Sequence, residues 1–308
     1  GFIGAAVARK LVASGREVVC FDSNLDPWHL QEAASQITLE RGDMVHLDEI
    51  TAVISEHQVT QIICVAYLLA AESEAALHAG VRVNVLGLDN VFEAARLAGI
   101  KRVLFASSVA YHGTNPARAA ERINEDTPAN PLGAYGWEKQ FNEAMAARYA
   151  DQFDMTIAAV RPPIVVGPGR RQGHIGHAQL INEPALGNAV RIAADPIAQA
   201  SIVYVDDVAE LFCLLATADE IQHRSYLTGG HVIAYHELAD IVRGFIPHAD
   251  IGFERPPERG PEYAYGLSFD YDYGRAATEF GYEMPPLEDR VRDSIEGTRM
   301  MHGLPPLE

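Results

Sequence analysis

Tyr135 and Lys139 stand four residues apart in Pro131-Leu132-Gly133-Ala134-Tyr135-Gly136-Trp137-Glu138-Lys139-Gln140. The residues that follow, 141–150, are rich in good helix formers, and Trp137, Phe141, Ala144 and Met145 recur at three- and four-residue steps. That spacing predicts a helix with an apolar stripe. Four residues make just over one turn, so the phenol and the ammonium share a face. An ordinary tyrosine, with a pKa of about 10, is ionised in about one molecule in a thousand near neutrality. A cation within about 4–6 Å lowers that pKa and makes the group a usable general base toward an alcohol. Tyr-x-x-x-Lys pairs also occur as surface decoration. With twelve tyrosines and three lysines (Lys10, Lys101, Lys139), however, composition alone yields only about 0.1 of them.

A second set of residues lies at the other end of the chain. Gly1-x-x-Gly4 opens an amphipathic helix over residues 5–14. Glycines there let the backbone approach a pyrophosphate, and the helix N-terminus supplies free N–H groups and a positive dipole. Small residues also occur wherever a helix packs on a sheet, so Asp22 is the stronger signal. It ends the next strand about twenty residues on, where a carboxylate accepts hydrogen bonds from ribose hydroxyls. It would repel a 2′-phosphate, and neither Ser23 nor Asn24 supplies an arginine, so the expected cofactor is NAD rather than NADP. A strand normally precedes such a turn, and none stands before Gly1. That strand would be a central one.

The elements that must position these groups alternate. Strands are expected over residues 17–22, 37–42, 61–66, 102–106 and 156–160, with helices over 47–55, 79–98 and from Tyr135 onward. The strands are apolar throughout rather than alternating, which implies a parallel sheet covered on both faces. Past Arg161 a turn-rich excursion runs through Pro162-Pro163 and Gly167-Pro168-Gly169-Arg170-Arg171-Gln172-Gly173. Residues 201–217 are expected to return to the sheet, giving a dinucleotide-binding domain over 1–161. Residues 162–200 and 218–308 are expected to form a smaller α+β substrate lobe. Ligands of such sheets sit at the strands' carboxyl ends.

Composition excludes several classes. A net charge of −18 over 308 residues argues against nucleic acid or an anionic membrane as a nonspecific partner. No apolar run reaches membrane-span length and no signal peptide is visible. Cys20, Cys64 and Cys213 are far apart and odd in number, as expected of reduced core residues in a cytoplasmic protein.

Taken together, Gly1-Phe2-Ile3-Gly4, Asp22, Gly42-Asp43, Asn84, Phe105-Ala106-Ser107-Ser108-Val109-Ala110-Tyr111-His112-Gly113, Tyr135-x-x-x-Lys139, Arg161-Pro162, Gly167-Pro168-Gly169 and Val205-Asp206-Asp207-Val208 resemble the extended short-chain dehydrogenase/reductase family, the NAD-dependent epimerase/dehydratase group. The motifs keep that family's order over nearly the whole chain. The resemblance implies a Rossmann doubly wound sheet, hydride transfer to NAD at a secondary alcohol of a sugar-like small molecule, and a homodimer built on the helices around residues 79–98 and 135–150. It makes Tyr135 the catalytic base, with Lys139 lowering its pKa and holding the nicotinamide ribose. Ser108 hydrogen-bonds the reacting oxygen, with Ser107 the neighbour it could be confused with. Gly1, Phe2, Ile3, Gly4, Asp22, Asp43, Met44, Ala66 and Pro162 line the cofactor cleft, and Asn84 has a structural role.

Departures from the pattern narrow the chemistry. Val109 and Ala110 stand where 4,6-dehydratases carry an Asp-Glu pair, and Ala110 also lacks the acid that decarboxylases need. The arginine expected before Val205-Asp206-Asp207 is replaced around Ala200-Ser201, Ile164 replaces an asparagine, and His112 replaces a tyrosine in the substrate cleft; these weaken a UDP-sugar assignment. Arg170 and Arg171 could meet a phosphate or carboxylate on the substrate or lie on the surface. His174 and His177 lack a third ligand in view, so a solvated loop is expected there and no metal. Epimerase, dehydrogenase of a small polar hydroxy compound, and a catalytically silent NAD-binding regulator all stay open.

Overall fold

The computed structural model describes residues 1–113, 122–173, 175–255 and 269–307. Helix α1 (Phe2–Ala13) leads to β1 (Val19–Asp22), and a 3-10 segment (Pro27–Gln36) leads to β2 (Thr38–Arg41). Next come α2 (Leu47–Glu56) and β3 (Gln61–Cys64). Then α3 (Ala70–Ala75), α4 (Leu77–Gly80), a π-helical stretch (Val81–Gly87) and α5 (Leu88–Leu97) run up to β4 (Arg102–Ala106). The short β5 (Arg122–Ile123) precedes α6 (Ala134–Phe153), β6 (Thr156–Arg161) and β7 (Ile164–Val166). The chain continues with α7 (Gly176–Ala185), β8 (Val190–Ala193), β9 (Gln199–Tyr204), α8 (Val205–Thr217), β10 (Ser225–Leu227) and β11 (His231–Ala234). It closes with α9 (Tyr235–Phe245), β12 (Ile251–Glu254), β13 (Asp270–Tyr271), α10 (Gly274–Phe280) and α11 (Leu287–Met301).

Four parallel strands in the order β10-β6-β4-β3 form the central sheet. Val103, Leu104 and Phe105 on β4 and Ala158, Ala159 and Val160 on β6 are fully buried, as continuous apolar runs flanked by helices require. β1 and β2 form a separate parallel pair, so among the described residues the parallel layer is in two pieces.

Three expectations are corrected. β9 does not rejoin the central sheet; it pairs parallel with β7 and antiparallel with β11. The strand that does join it, beside β6, is β10, expected in the lobe. Its residues Tyr226 and Leu227 are wholly buried, which an edge position covered by α10 permits. α8 still packs with α1 and the sheet, burying Val208, Leu211, Phe212 and Leu215.

The single helix expected over residues 79–98 is in pieces, with a π-helical turn at its centre. The widened turn sets Asn84 inward. Its amide bridges to the Leu68 backbone at both ends (Nδ2 to O, 3.0 Å; Oδ1 from N, 2.8 Å) and donates to Glu138 at 2.6 Å. Such bulges tie a helix to a neighbouring loop and cluster at functional sites.

Candidate active site

Helix α6 is turned against its apolar stripe. Trp137 and Phe141 are 57% and 55% exposed, while Tyr135, Glu138, Lys139 and Asn142 are buried. Several polar groups on the inward face are bonded, although Asn142 Oδ1 has no hydrogen-bond partner among the described residues. Glu138 accepts from Ser73 at 2.7 Å and from Asn84, and Asn142 donates to the Asn84 carbonyl at 2.8 Å. Buried polar groups are tolerated when so bonded. The helix can lie this close because residue 136 is glycine: a Cβ there would come 2.7 Å from the Ala110 carbonyl oxygen. This contact presses the first turn of α6 onto the segment that follows β4.

Lys139 has no exposed surface. Its Nζ donates to the Ala106 carbonyl at 3.1 Å, at the carboxyl end of β4, and lies 5.1 Å from the centre of the Tyr135 ring. Burial pulls its pKa well below the ordinary lysine value, while Cys64, Glu138 and Glu143 act the other way. A desolvated ammonium exerts a stronger field on a neighbouring phenol than one in water would. Tyr67 covers the same ammonium, with its ring centre 2.9 Å from Nζ and its hydroxyl bonded to the Ala106 carbonyl.

Ser108 ends β4's extended run and caps the next turn, its Oγ accepting from the Ala110 N–H at 3.1 Å. It is partly exposed, whereas Ser107 is 2% exposed and gives its hydroxyl to Glu143. The two serines are thereby separated: one faces the cleft end of the strand, the other is absorbed by the floor. That floor is built on Arg161, 3% exposed, which binds Glu143 through two nitrogens, donates to the Glu125 carbonyl at 3.2 Å and lies 3.8 Å over the Tyr111 ring. His112 belongs to this floor rather than to an open cleft; it is 3% exposed, with Nε2 3.2 Å from Arg161 Nη1.

The residues expected to line a cofactor cleft come from separate elements. The α1 turn comes to β1's tip, where Gly1 N lies 3.3 Å from Asp22 Oδ2, and that carboxylate keeps 38% of its surface open. Its Oδ1 accepts from the Asn24 N–H at 2.9 Å, which leaves acceptor capacity for ribose hydroxyls. Asp43 caps its own loop (Oδ1 from Val45 N–H, 3.1 Å), and Met44 is buried against Gly87. Ala66 is exposed just past β3; Pro162 is buried, its carbonyl accepting from the Val109 N–H at 3.2 Å. Phe2 and Ile3 pack on the edge of the α1–α8 core. Among the described residues the Lys139 ammonium has one protein acceptor for three N–H groups. With the open Asp22 carboxylate, this set fits a dinucleotide: Asp22 would hold the adenosine ribose and Lys139 the nicotinamide ribose.

The two neighbouring arginines part company. Arg171 is exposed and lies 3.8 Å over the Trp28 ring. Arg170 turns inward, 5.3 Å over the Phe2 ring, and a Cβ on Gly173 would lie 3.0 Å from its Nη2. Burial lowers its pKa, and Tyr135 is the ionisable group acting on it in the other direction. His177 is not on a solvated loop: it is 1% exposed in α7 and stacked on Tyr235 with ring centres 4.1 Å apart. His174 lies outside the described residues.

Sequence reasoning missed Tyr67, Glu138 and Glu143. Glu143 stands four residues after Lys139, on the same helical face, and that spacing could have found it. Nothing in the sequence marks Tyr67, which reaches Lys139 only through the fold.

The model of the NAD dependent epimerase/dehydratase family matches residues 1–229. The chain is similar to a UDP-glucose 4-epimerase of Mycolicibacterium smegmatis, 28% identical over 268 residues, 84% of each chain. It is also similar to a uronate dehydrogenase of Agrobacterium fabrum, 45% identical over 78 residues, 25% of this chain and 29% of that one. An L-threonine dehydrogenase of Cupriavidus necator has the same fold, with a TM-score of 0.84 at 22% identity over 96% of each chain.

Proposed function

The chain belongs to the NAD-dependent epimerase/dehydratase family, and on that footing we propose that it oxidises a secondary alcohol of a polar, sugar-like small molecule. Tyr135 takes the hydroxyl proton, Lys139 holds the phenolate form, and Ser108 hydrogen-bonds the oxygen that becomes a carbonyl. NAD, when bound, supplies the hydride acceptor. The observation that carries this reading is Lys139: an ammonium with no exposed surface, bonded to a backbone carbonyl and 5.1 Å from the Tyr135 ring. A buried cation is costly, and its field is greatest for a group next to it. A partly exposed hydroxyl at Ser108, in the segment on which α6 rests, suits alignment of the alcohol with Tyr135.

Two reactions use these groups in the same way, net dehydrogenation and transient oxidation followed by reduction on the other face. The relative from Mycolicibacterium smegmatis supports epimerization. Ala200 and Ser201, which stand where the resemblance leads one to expect a substrate-anchoring arginine, support a substrate without a nucleotide diphosphate. The second point favours the dehydrogenase. Stopped-flow absorbance at the NADH band, over a panel of polyols, hydroxy acids and sugar nucleotides, tests it: lasting NADH release is expected. Turnover of a sugar nucleotide with no net reduction would replace dehydrogenase by epimerase, and full turnover by Tyr135→Phe would remove the assigned base.

A homodimer is part of the same proposal. Leu77, Val81, Trp137 and Phe141, each more than half exposed, line an apolar groove of about 300 Å³ on the outer face of α4 and α6. Such a patch on the helices that carry the site marks a protein interface.

A further inference from the structure

Lys139 is walled in by protein alone. To hold a nicotinamide ribose it must touch one, yet it has no exposed surface. A ligand laid against the protein reaches only groups that have some, so a group over the ammonium must move. The Nζ donates to the Ala106 carbonyl and lies 5.1 Å from the centre of the Tyr135 ring, but only 2.9 Å from the centre of the Tyr67 ring. Tyr67 keeps part of its own surface open, which makes its ring the layer between the ammonium and solvent.

The ring can leave without stranding a backbone group. Tyr67 stands in the segment between β3 and α3, and the next residue is pinned: the Leu68 N–H and carbonyl both bond to Asn84, at 2.8 and 3.0 Å. With that backbone fixed, the movement left is rotation of the Tyr67 side chain. Its hydroxyl shares the Ala106 carbonyl with Lys139, so the carbonyl keeps a donor when the phenol swings out to water. The ammonium then gives up a π face, which counts most when the cation is desolvated, and gains hydroxyl oxygens for N–H groups that the single carbonyl does not fill.

We infer that Tyr67 is a positioning residue that holds the Lys139 ammonium against Ala106 and stands where the nicotinamide ribose belongs, so that this ribose binds by displacing the ring. The inference rests on the role given to Lys139 above. It makes Tyr67 a determinant of cofactor affinity: part of the ribose's binding energy goes into moving the ring. The adenosine half, assigned to Asp22 and the α1 N-terminus, carries no such cost.

Calorimetry with NAD, ADP-ribose and ADP tests it, since the first two carry the second ribose and ADP lacks it. In Tyr67→Ala, which has no ring to displace, the Kd for NAD and ADP-ribose should fall about 10-fold while that for ADP stays within about twofold. Tyr67→Phe keeps the ring and loses the bond to Ala106, so the same two Kd values should fall by about threefold. It opens no cavity, and decides the matter if Tyr67→Ala does not fold. Unchanged or weaker binding of NAD and ADP-ribose would show that the ring is not in the way, or is itself a cofactor contact, and would overturn the inference. So would an equal change for ADP. Lys139→Met is measured alongside, and its Kd for ADP-ribose should rise. If that value does not move, the ribose role of Lys139 fails and the inference with it; if it rises while the Tyr67 variants fail to tighten binding, the inference alone falls.

Discussion

Glu143 grips Arg161 from one side of the helix that carries the proposed catalytic pair, Tyr135 and Lys139. Its carboxylate accepts from Arg161 Nε at 2.8 Å and from Nη2, and takes the Ser107 hydroxyl as well. The pair ties α6 to β6 and β4 directly beneath the cleft. Removing one partner leaves the other charged and buried, a loss of about 3–5 kcal/mol. Glu143→Ala is therefore expected to lower the unfolding free energy by that amount in urea titrations; a change under about 1 kcal/mol would mean the pair behaves like a surface ion pair.

Lys139 is a stability cost that the proposed chemistry accounts for. Its folded pKa is depressed, so below that value the native state bears the full penalty of a buried ammonium. Between that value and the ordinary 10.5, the unfolded chain holds a proton that the native state has released, and native stability rises with pH. Lys139→Met lacks this dependence. It should melt above wild type, with the gap widest at low pH and shrinking toward pH 10, while kcat falls about 10²–10⁴-fold. Thermal melts of the NAD-free proteins from pH 6 to 10 check the sign.

Ser107 and Ser108 should fail in different ways. Ser108→Ala is expected to lower kcat about 10²–10³-fold and to cost about 1 kcal/mol in stability from the lost cap. Ser107→Ala should leave kcat within a few-fold and act on stability alone, through Glu143. Equal kinetic losses in the two variants would show that the floor, not one hydroxyl, orients the substrate.

Gly113 closes the loop that carries Ser108 and His112. Its φ is +67°, and a Cβ would fall directly on the Asn130 carbonyl. Gly113→Ala combines a left-handed backbone with a steric clash, so a loss of at least about 1–2 kcal/mol is expected. Because the loop must move, KM and kcat should change together, as initial-rate measurements would show.

The outer face of α6 predicts assembly. Trp137→Glu with Phe141→Glu puts two carboxylates in the apolar groove and should yield a monomer by light scattering where wild type is a dimer. A wild type that is already monomeric would show that the patch serves another purpose.

The chain's own order of residues settled several points. The phenol and ammonium share a face of α6 because a helix repeats every 3.6 residues, and Asp22 ends β1 because an apolar run stops at an acid. The parallel class of the central sheet followed from strands with no polar alternation. Tertiary structure decided which face of α6 points inward. Periodicity gave an apolar stripe through Trp137 and Phe141 without saying what covers it, and the burial goes to Glu138, Lys139, Asn142 and Tyr135, because Ser73, Asn84 and the Ala106 carbonyl are waiting there to bond them. Those partners come from 33 to 65 residues away, beyond the reach of any local pattern. The same holds for Arg170 and Arg171, which no sequence window can tell apart: the fold lays one guanidinium over the Phe2 ring and the other on an indole, and only packing makes that choice.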